Sequence, residues 1–251
     1  MEEKKLRGLS GSTLKWIAVI TMAIDHFAAV VLLGRLYSER AWGAGIWSRQ
    51  CYWDLRIIGR LAFPIYCFLI CEGYRHTRSL RGYLLRLLGF ALLSELPFDL
   101  AFQRAWFDLS AQNVFFTLAL GLSAIALWET LRRDREGEAL VRSSIAAALA
   151  CAVLCAAGEL LHTDYGSMGV LLILVMWLLR DQPLWRIPAA AAIFASMALF
   201  FRSSWVELFA LAAFIPIGLY NGTRGRQMKY LFYVFYPVHL LLLCGVRYFL
   251  F

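Results

Sequence analysis

The chain has 251 residues, 61% of them hydrophobic and 17% charged, with a mean hydropathy of +0.63. These values exclude an ordinary soluble domain and point to a multi-pass helical membrane protein. The net charge of +8 could suit nucleic acid, but much of it lies in short connections between apolar runs. There it sets orientation and meets anionic lipid, so no nucleic-acid partner is expected.

In chain order, nine apolar runs are each about as long as a bilayer core requires, about 20 residues. They cover 13–33, 56–74, 82–100, 113–131, 143–161, 167–180, 184–201, 204–220 and 229–250. The first has no small-residue cleavage site after a short apolar region, so it reads as a retained span. The predicted class is all-α, a bundle of about nine transmembrane helices. A chain of this length leaves no room for a separate soluble domain, and residues 1–251 read as one domain.

Basic residues then give sidedness. Clusters at Lys4, Lys5, Arg7 and Lys15, at Arg75, Arg78 and Arg81, at Arg132, Arg133, Arg135 and Arg142, at Arg180 and Arg186, and at Arg224, Arg226 and Lys229 share one face if there are nine crossings. That face is cytoplasmic by the positive-inside rule, placing the N-terminus inside and the C-terminus outside. The first outer connection departs from the rule with Arg35, Arg40 and Arg49. Its Trp42, Trp47 and Trp53 suggest a segment lying in the outer interface.

Two histidines stand out by depth. His26 follows Lys15 by eleven residues and His239 follows Lys229 by ten, placing both rings about 15–16 Å into a core about 30 Å thick. Ionisable groups there are rare and functional by default, and imidazole accepts a proton near neutral pH. Packing by a hydrogen bond to a neighbouring helix is the plainer alternative for each. Asp25 directly precedes His26, but neighbours on a helix project about 100° apart, so it does not orient that ring. Its expected partner is Arg60 on the second span, as a catalytic support or as a purely architectural ion pair.

Glu95, Asp99, Asn113, Thr117, Glu159, His162, Asp164, Tyr165 and Glu207 fall in the outer half of this topology and read as the lining of a polar cavity. On the cytoplasmic side, Arg75, His76, Arg78, Arg81 and Arg86 form a donor-rich stretch. It suits phosphates, and equally the topology rule and lipid headgroups. No nucleotide-binding glycine pattern accompanies it. The pairs Cys67/Cys71 and Cys151/Cys155 read as packing residues, and no metal site is expected.

Several segments together resemble the TraX family of bacterial membrane proteins. They are Leu14-Lys15-Trp16-Ile17-Ala18 through Ile24-Asp25-His26, Ile58-Gly59-Arg60-Leu61-Ala62-Phe63-Pro64-Ile65, Glu72-Gly73-Tyr74-Arg75-His76-Thr77-Arg78 and Ser94-Glu95-Leu96-Pro97-Phe98. Asn113-Val114-Phe115-Phe116-Thr117-Leu118, Asp164-Tyr165-Gly166 and Tyr236-Pro237-Val238-His239 complete the set. Phe27 departs from the family's glycine-containing continuation after the histidine. The spacing of Lys15 and His26 is also similar to that in integral membrane acyltransferases of the acyltransferase family three.

The family is associated with N-terminal acetylation of pilin. The resemblance therefore implies an acetyl-CoA-dependent acyltransferase of the bacterial cytoplasmic (inner) membrane, acting on a peptide, pilin or glycan acceptor. His26 is the expected general base, and Asp25 with Arg60 would hold helices in register. His239 or Asn113 would donate to the oxyanion. Lys15, Arg60, Arg75, His76, Arg78, Arg81 and Arg86 are the expected coenzyme-binding residues. Direct transfer and an acetyl-histidine intermediate both remain open. The alternative is a proton-coupled transporter or flippase using the same buried polar residues; a third reading is a scaffold for secretion or pilus assembly.

Overall fold

The computed structural model describes residues 8–33, 45–200, 205–226 and 229–250. Lys4, Lys5, Arg7, Arg35, Arg40 and Trp42 lie outside them, as do the side chains of Trp47 and Lys229. The described residues are helical, and their only β pairing is two isolated bridges, Leu9 with Tyr220 and Gln112 with Thr163. They divide into two compact units. One takes the described residues up to Leu69 and from Phe194 onward; the other runs Ile70–Ile193.

In the first unit, Ser10 caps helix α1 (Gly11–Phe27) by accepting from the Thr13 amide at 3.2 Å. This satisfies one of the amides a helix start leaves open. A π-helical turn, Ala28–Leu32, prolongs α1 without a break. The resulting 22 residues, Gly11–Leu32, are long and apolar enough to cross a membrane. Leu14, Ala18 and Val19 are buried, while Trp16, Ile20 and Phe27 face outward, as lipid-contacting residues do.

Helix α2 (Gly45–Gly59) is a correction to the expected second span, which began at 56. Its Arg49, Gln50, Asp54 and Arg56 depress hydropathy, yet the helix forms because polar side chains find partners, as Gln50 does with Asp54 at 2.8 Å. A tight turn at Arg60 and Leu61, closed by i→i+3 bonds to Ile57 and Ile58, separates it from α3 (Ala62–His76). Pro64 sits in the first turn of α3, where a missing amide hydrogen costs nothing.

Gly59 permits the closest approach in this unit. A Cβ there would lie 2.2 Å from the Cβ of Asp25, so only glycine lets α1 and α2 meet at this level.

The second unit contains α4 (Leu80–Phe98), continued by a π-helical turn at Asp99–Gln103, then α5 (Val114–Arg132), α6 (Gly137–Leu160) and α7 (Gly166–Leu178). Ala124, Cys151, Val170 and Leu174 form its core where α5, α6 and α7 meet. Gly121 of α5 receives Ile173 of α7, where a Cβ would stand 2.3 Å from the Ile173 Cδ1. Helix α8 (Pro183–Phe200) leaves this unit, and its last residues belong to the first.

The run expected as one span over 204–220 is instead nine residues of 3₁₀ helix, Trp205–Ala213, followed by a short α9 (Phe214–Gly218). Helix α10 (Lys229–Leu250) closes the first unit. Four described helical runs are long and apolar enough to cross a membrane: Gly11–Leu32, Val114–Arg132, Gly137–Leu160 and Tyr230–Leu250. Shorter apolar helices occupy Gly166–Leu178 and Trp205–Gly218.

Candidate functional site

The first unit brings together the two histidines that depth alone singled out. His26 Nδ1 lies 2.7 Å from His239 Nε2, the two rings nearly parallel at 9°. His239 Nδ1 lies 2.7 Å from the carbonyl oxygen of Phe235, which can only accept. These contacts fix the tautomers of the neutral pair. His239 carries its hydrogen on Nδ1 and donates it to Phe235, so its Nε2 is an acceptor. His26 must therefore donate from Nδ1, which puts its lone pair on Nε2.

Aromatic packing holds the pair. Phe235 lies parallel to His239 at a centroid distance of 4.7 Å, and Tyr236 meets both imidazoles edge-on. His239 is buried at 6% exposure, whereas His26 is only partly buried. The more buried ring thus sets the orientation of the less buried one. Both nitrogens of His239 are engaged.

Beside this pair lies a charge network. Asp25 accepts from Arg56 Nη1 through Oδ2 and from Arg60 Nη2 through Oδ1, each at 2.6 Å. The other terminal nitrogen of Arg60 donates to Glu207 Oε1, also at 2.6 Å, and its Nε to the Arg56 carbonyl at 3.3 Å. Two guanidinium groups face two carboxylates, so the charges cancel where isolated ions would be costly. Asp25 and Arg60 are each only 7% exposed.

The expected Asp25–Arg60 pair is present. Arg60, expected also to bind coenzyme, is bonded here to Asp25, Glu207 and the Arg56 carbonyl. Arg56 and Glu207 are the members sequence reasoning missed. The available signal was the i, i+4 spacing of Arg56 and Arg60, which aims both at one neighbour. Glu207 carried no such signal, because a 3₁₀ segment far along the chain delivers it.

The remaining expected residues are distributed differently. Lys15, on α1 in the first unit, sits over the Phe232 ring at 5.6 Å. Asn113 lies in the second unit and caps α5. Its Oδ1 accepts from the Phe115 amide at 3.0 Å, and its Nδ2 donates to the Ala91 carbonyl at 2.8 Å and to Glu95. Both amide hydrogens of Asn113 are committed to these bonds. Thr117 bonds Thr163 and the Asp164 carbonyl, and Glu159 accepts from Ser167, so these polar residues secure helix ends.

At the other end of the second unit, Arg75, His76, Arg78 and Arg81 are exposed and Arg86 is partly so. Glu72 takes contacts from Arg75 at 3.4 Å and His76 at 3.6 Å, and Arg86 lies over Tyr83 at 5.7 Å.

A family model described as TraX protein matches residues 10–247. The chain belongs to the TraX family. A curated relative, a probable fimbrial assembly protein FimC of serogroup H1 from Dichelobacter nodosus, is 32% identical over 265 residues, covering 96% of this chain and 97% of that protein. No solved structure matches. Family membership and the four apolar helical runs mark this chain as a membrane protein, and the histidine pair and charge network both fall within the matched range.

Proposed function

We propose that this TraX-family protein is an acyltransferase that moves an acetyl group from acetyl-CoA to an amine or hydroxyl acceptor, with His26 as the general base. The observation that carries this reading is the relay from the Phe235 carbonyl through His239 to His26, which fixes the tautomer and orientation of the His26 ring. A neutral imidazole with one nitrogen anchored and the other basic is the arrangement needed to take a proton from an attacking nucleophile. His239 is a positioning residue. Asp25, Arg56, Arg60 and Glu207 clamp α1, α2 and the 3₁₀ segment, holding the base in place.

The exposed guanidinium groups of Arg75, Arg78 and Arg81 fit the phosphates of the donor, with His76 and Arg86 on the same stretch. Bound there, coenzyme A supplies the activated thioester. The chain works as one domain with nine crossings of the bacterial cytoplasmic membrane, N-terminus inside and C-terminus outside, the donor arriving from the cytoplasm and the acceptor from outside. The distribution of basic residues supports that sidedness. The printed name of the relative from Dichelobacter nodosus, a fimbrial assembly protein, favours a pilin or other peptide N-terminus as acceptor, and a glycan hydroxyl is the second acceptor class.

The test is incubation of the purified protein with acetyl-labelled acetyl-CoA and a peptide bearing a free α-amine. Label should appear on the peptide with release of free coenzyme A thiol. A protein that binds neither compound and releases no thiol would contradict the proposal.

A further inference from the structure

We infer that loop 104–110, between α4 and α5, is an anchor that docks on the headgroup zone of the bilayer. Arg104 takes a left-handed conformation (φ 57°) and ends the π-helical turn after α4. Beyond it the chain exposes three large apolar side chains in quick succession: Trp106 is 78% exposed, Phe107 73% and Leu109 65%. Apolar side chains grouped in this way mark a surface that meets another apolar phase.

The loop backbone is prepared for that phase as well. A loop carries amides that no helix pairs, and a medium poor in water makes them costly. Asp99 takes up two of them. Its carbonyl accepts from the Ala105 amide at 3.3 Å, and its Oδ2 accepts from the Asp108 amide at 2.9 Å. Asp108 Oδ1 in turn accepts from the Ser110 amide at 2.7 Å. Asp99 is only 1% exposed, so the loop is fastened to the interior of the second unit while its apolar side chains stay outside. Just past the loop, the Gln112 amide donates to the His162 carbonyl at 2.9 Å, and the Asp164 amide to the Gln112 carbonyl at 2.8 Å. These bonds join it to the connection after α6, where Leu160 and Leu161 are exposed too.

Depth and continuity commit this surface to lipid. Helix α4 and its π-helical turn, 19 and five residues long, rise about 35 Å, slightly more than a bilayer core about 30 Å thick. With the exposed Arg81 at the start of α4 in one headgroup region, loop 104–110 reaches the other. Leu85, Leu88, Leu92 and Leu96 form an exposed stripe, so apolar surface runs along α4 from one level to the other. Indole and phenyl rings partition into the interfacial zone, and the exposed Arg104 offers a cation to lipid phosphate. Such an anchor fixes the depth of α4 and α5 and is independent of any transfer reaction.

The test uses the full chain, carrying fluorotryptophan, in lipid nanodiscs. Trp106→Phe keeps an apolar ring and identifies the Trp106 fluorine resonance by its loss. Lipid spin-labelled at the top of the acyl chain should broaden that resonance several-fold more than a water-soluble gadolinium chelate does. Equal or greater broadening by the chelate would place the indole in water and overturn the anchor. Broadening by neither would place it under protein, such as a second copy of this chain, and would overturn it equally.

The same resonance tests the tether. Asp99→Asn keeps an oxygen for the Asp108 amide and should preserve the wild-type pattern, whereas Asp99→Ala should raise the broadening by the chelate. A wild-type pattern in Asp99→Ala would show that Asp99 does not hold the loop. Should Asp99→Ala fail to fold, Asp108→Ala, which removes the Ser110 contact, takes its place with the same expected and overturning results.

Discussion

At the residue scale, chemistry is governed by where one hydrogen sits. A histidine in isolation offers either nitrogen, and a base must offer the right one. Here a backbone carbonyl makes that choice two rings away: Phe235 fixes His239, and His239 fixes His26. Aspartate performs the same task in serine hydrolases. An imidazole–carbonyl pair does it without placing another negative charge in the membrane.

The sign of the pH dependence follows from the base being the neutral form. Activity is present above the imidazole pKa, about 6.5 when unperturbed, and is lost as pH falls through it. The profile of kcat/KM should therefore show an acid limb of unit slope. In His239→Ala the limb should persist while kcat drops by about 10- to 100-fold, the range typical of partners that orient a reactive group. An unchanged kcat in His239→Ala would show that the relay does not act.

At the element scale, one close contact sets the site. Helix α2 can present Arg56 and Arg60 to Asp25 because Gly59 lets α1 approach its backbone. Gly59→Ala places a methyl group 2.2 Å from the Asp25 Cβ, and the helices must separate. Overpacking of this kind costs about 1–3 kcal/mol. The variant should melt several degrees below wild type in detergent and lose activity together with the ion pairs. A melting point equal to wild type would contradict the contact.

This scale also shows how far sequence alone reaches. Depth arithmetic identified His26 and His239 because each lies a countable number of residues from a basic helix end, and charge complementarity paired Asp25 with Arg60. Helix α2 is partly hidden in the sequence, since hydropathy counts Arg56 as solvated although Asp25 neutralises it. Glu207 was misread as a cavity or interfacial residue for the same reason: its partner lies 147 positions away. Asn113 was legible as a polar residue at a span edge, but its role as a helix cap depends on Glu95 and Ala91, which only folding brings near.

At the scale of the whole molecule, the polar features divide between the two compact units. The histidine relay and its charge network lie in the first. The second carries the exposed basic stretch from Arg75 to Arg81 and the caps around Asn113. Under the proposed function, donor phosphates require the basic stretch to face the cytoplasm. An alkaline phosphatase reporter fused after Leu250 should be active, and one fused after Arg135 inactive. The reverse pattern would contradict the proposed orientation.

The most direct measurement is acetyl transfer by wild type and His26→Ala, purified side by side with their melting points recorded. If His26 is the base, the variant retains its fold and its affinity for acetyl-CoA but transfers no label above background. Label transfer by a folded His26→Ala at the wild-type rate would contradict that central role.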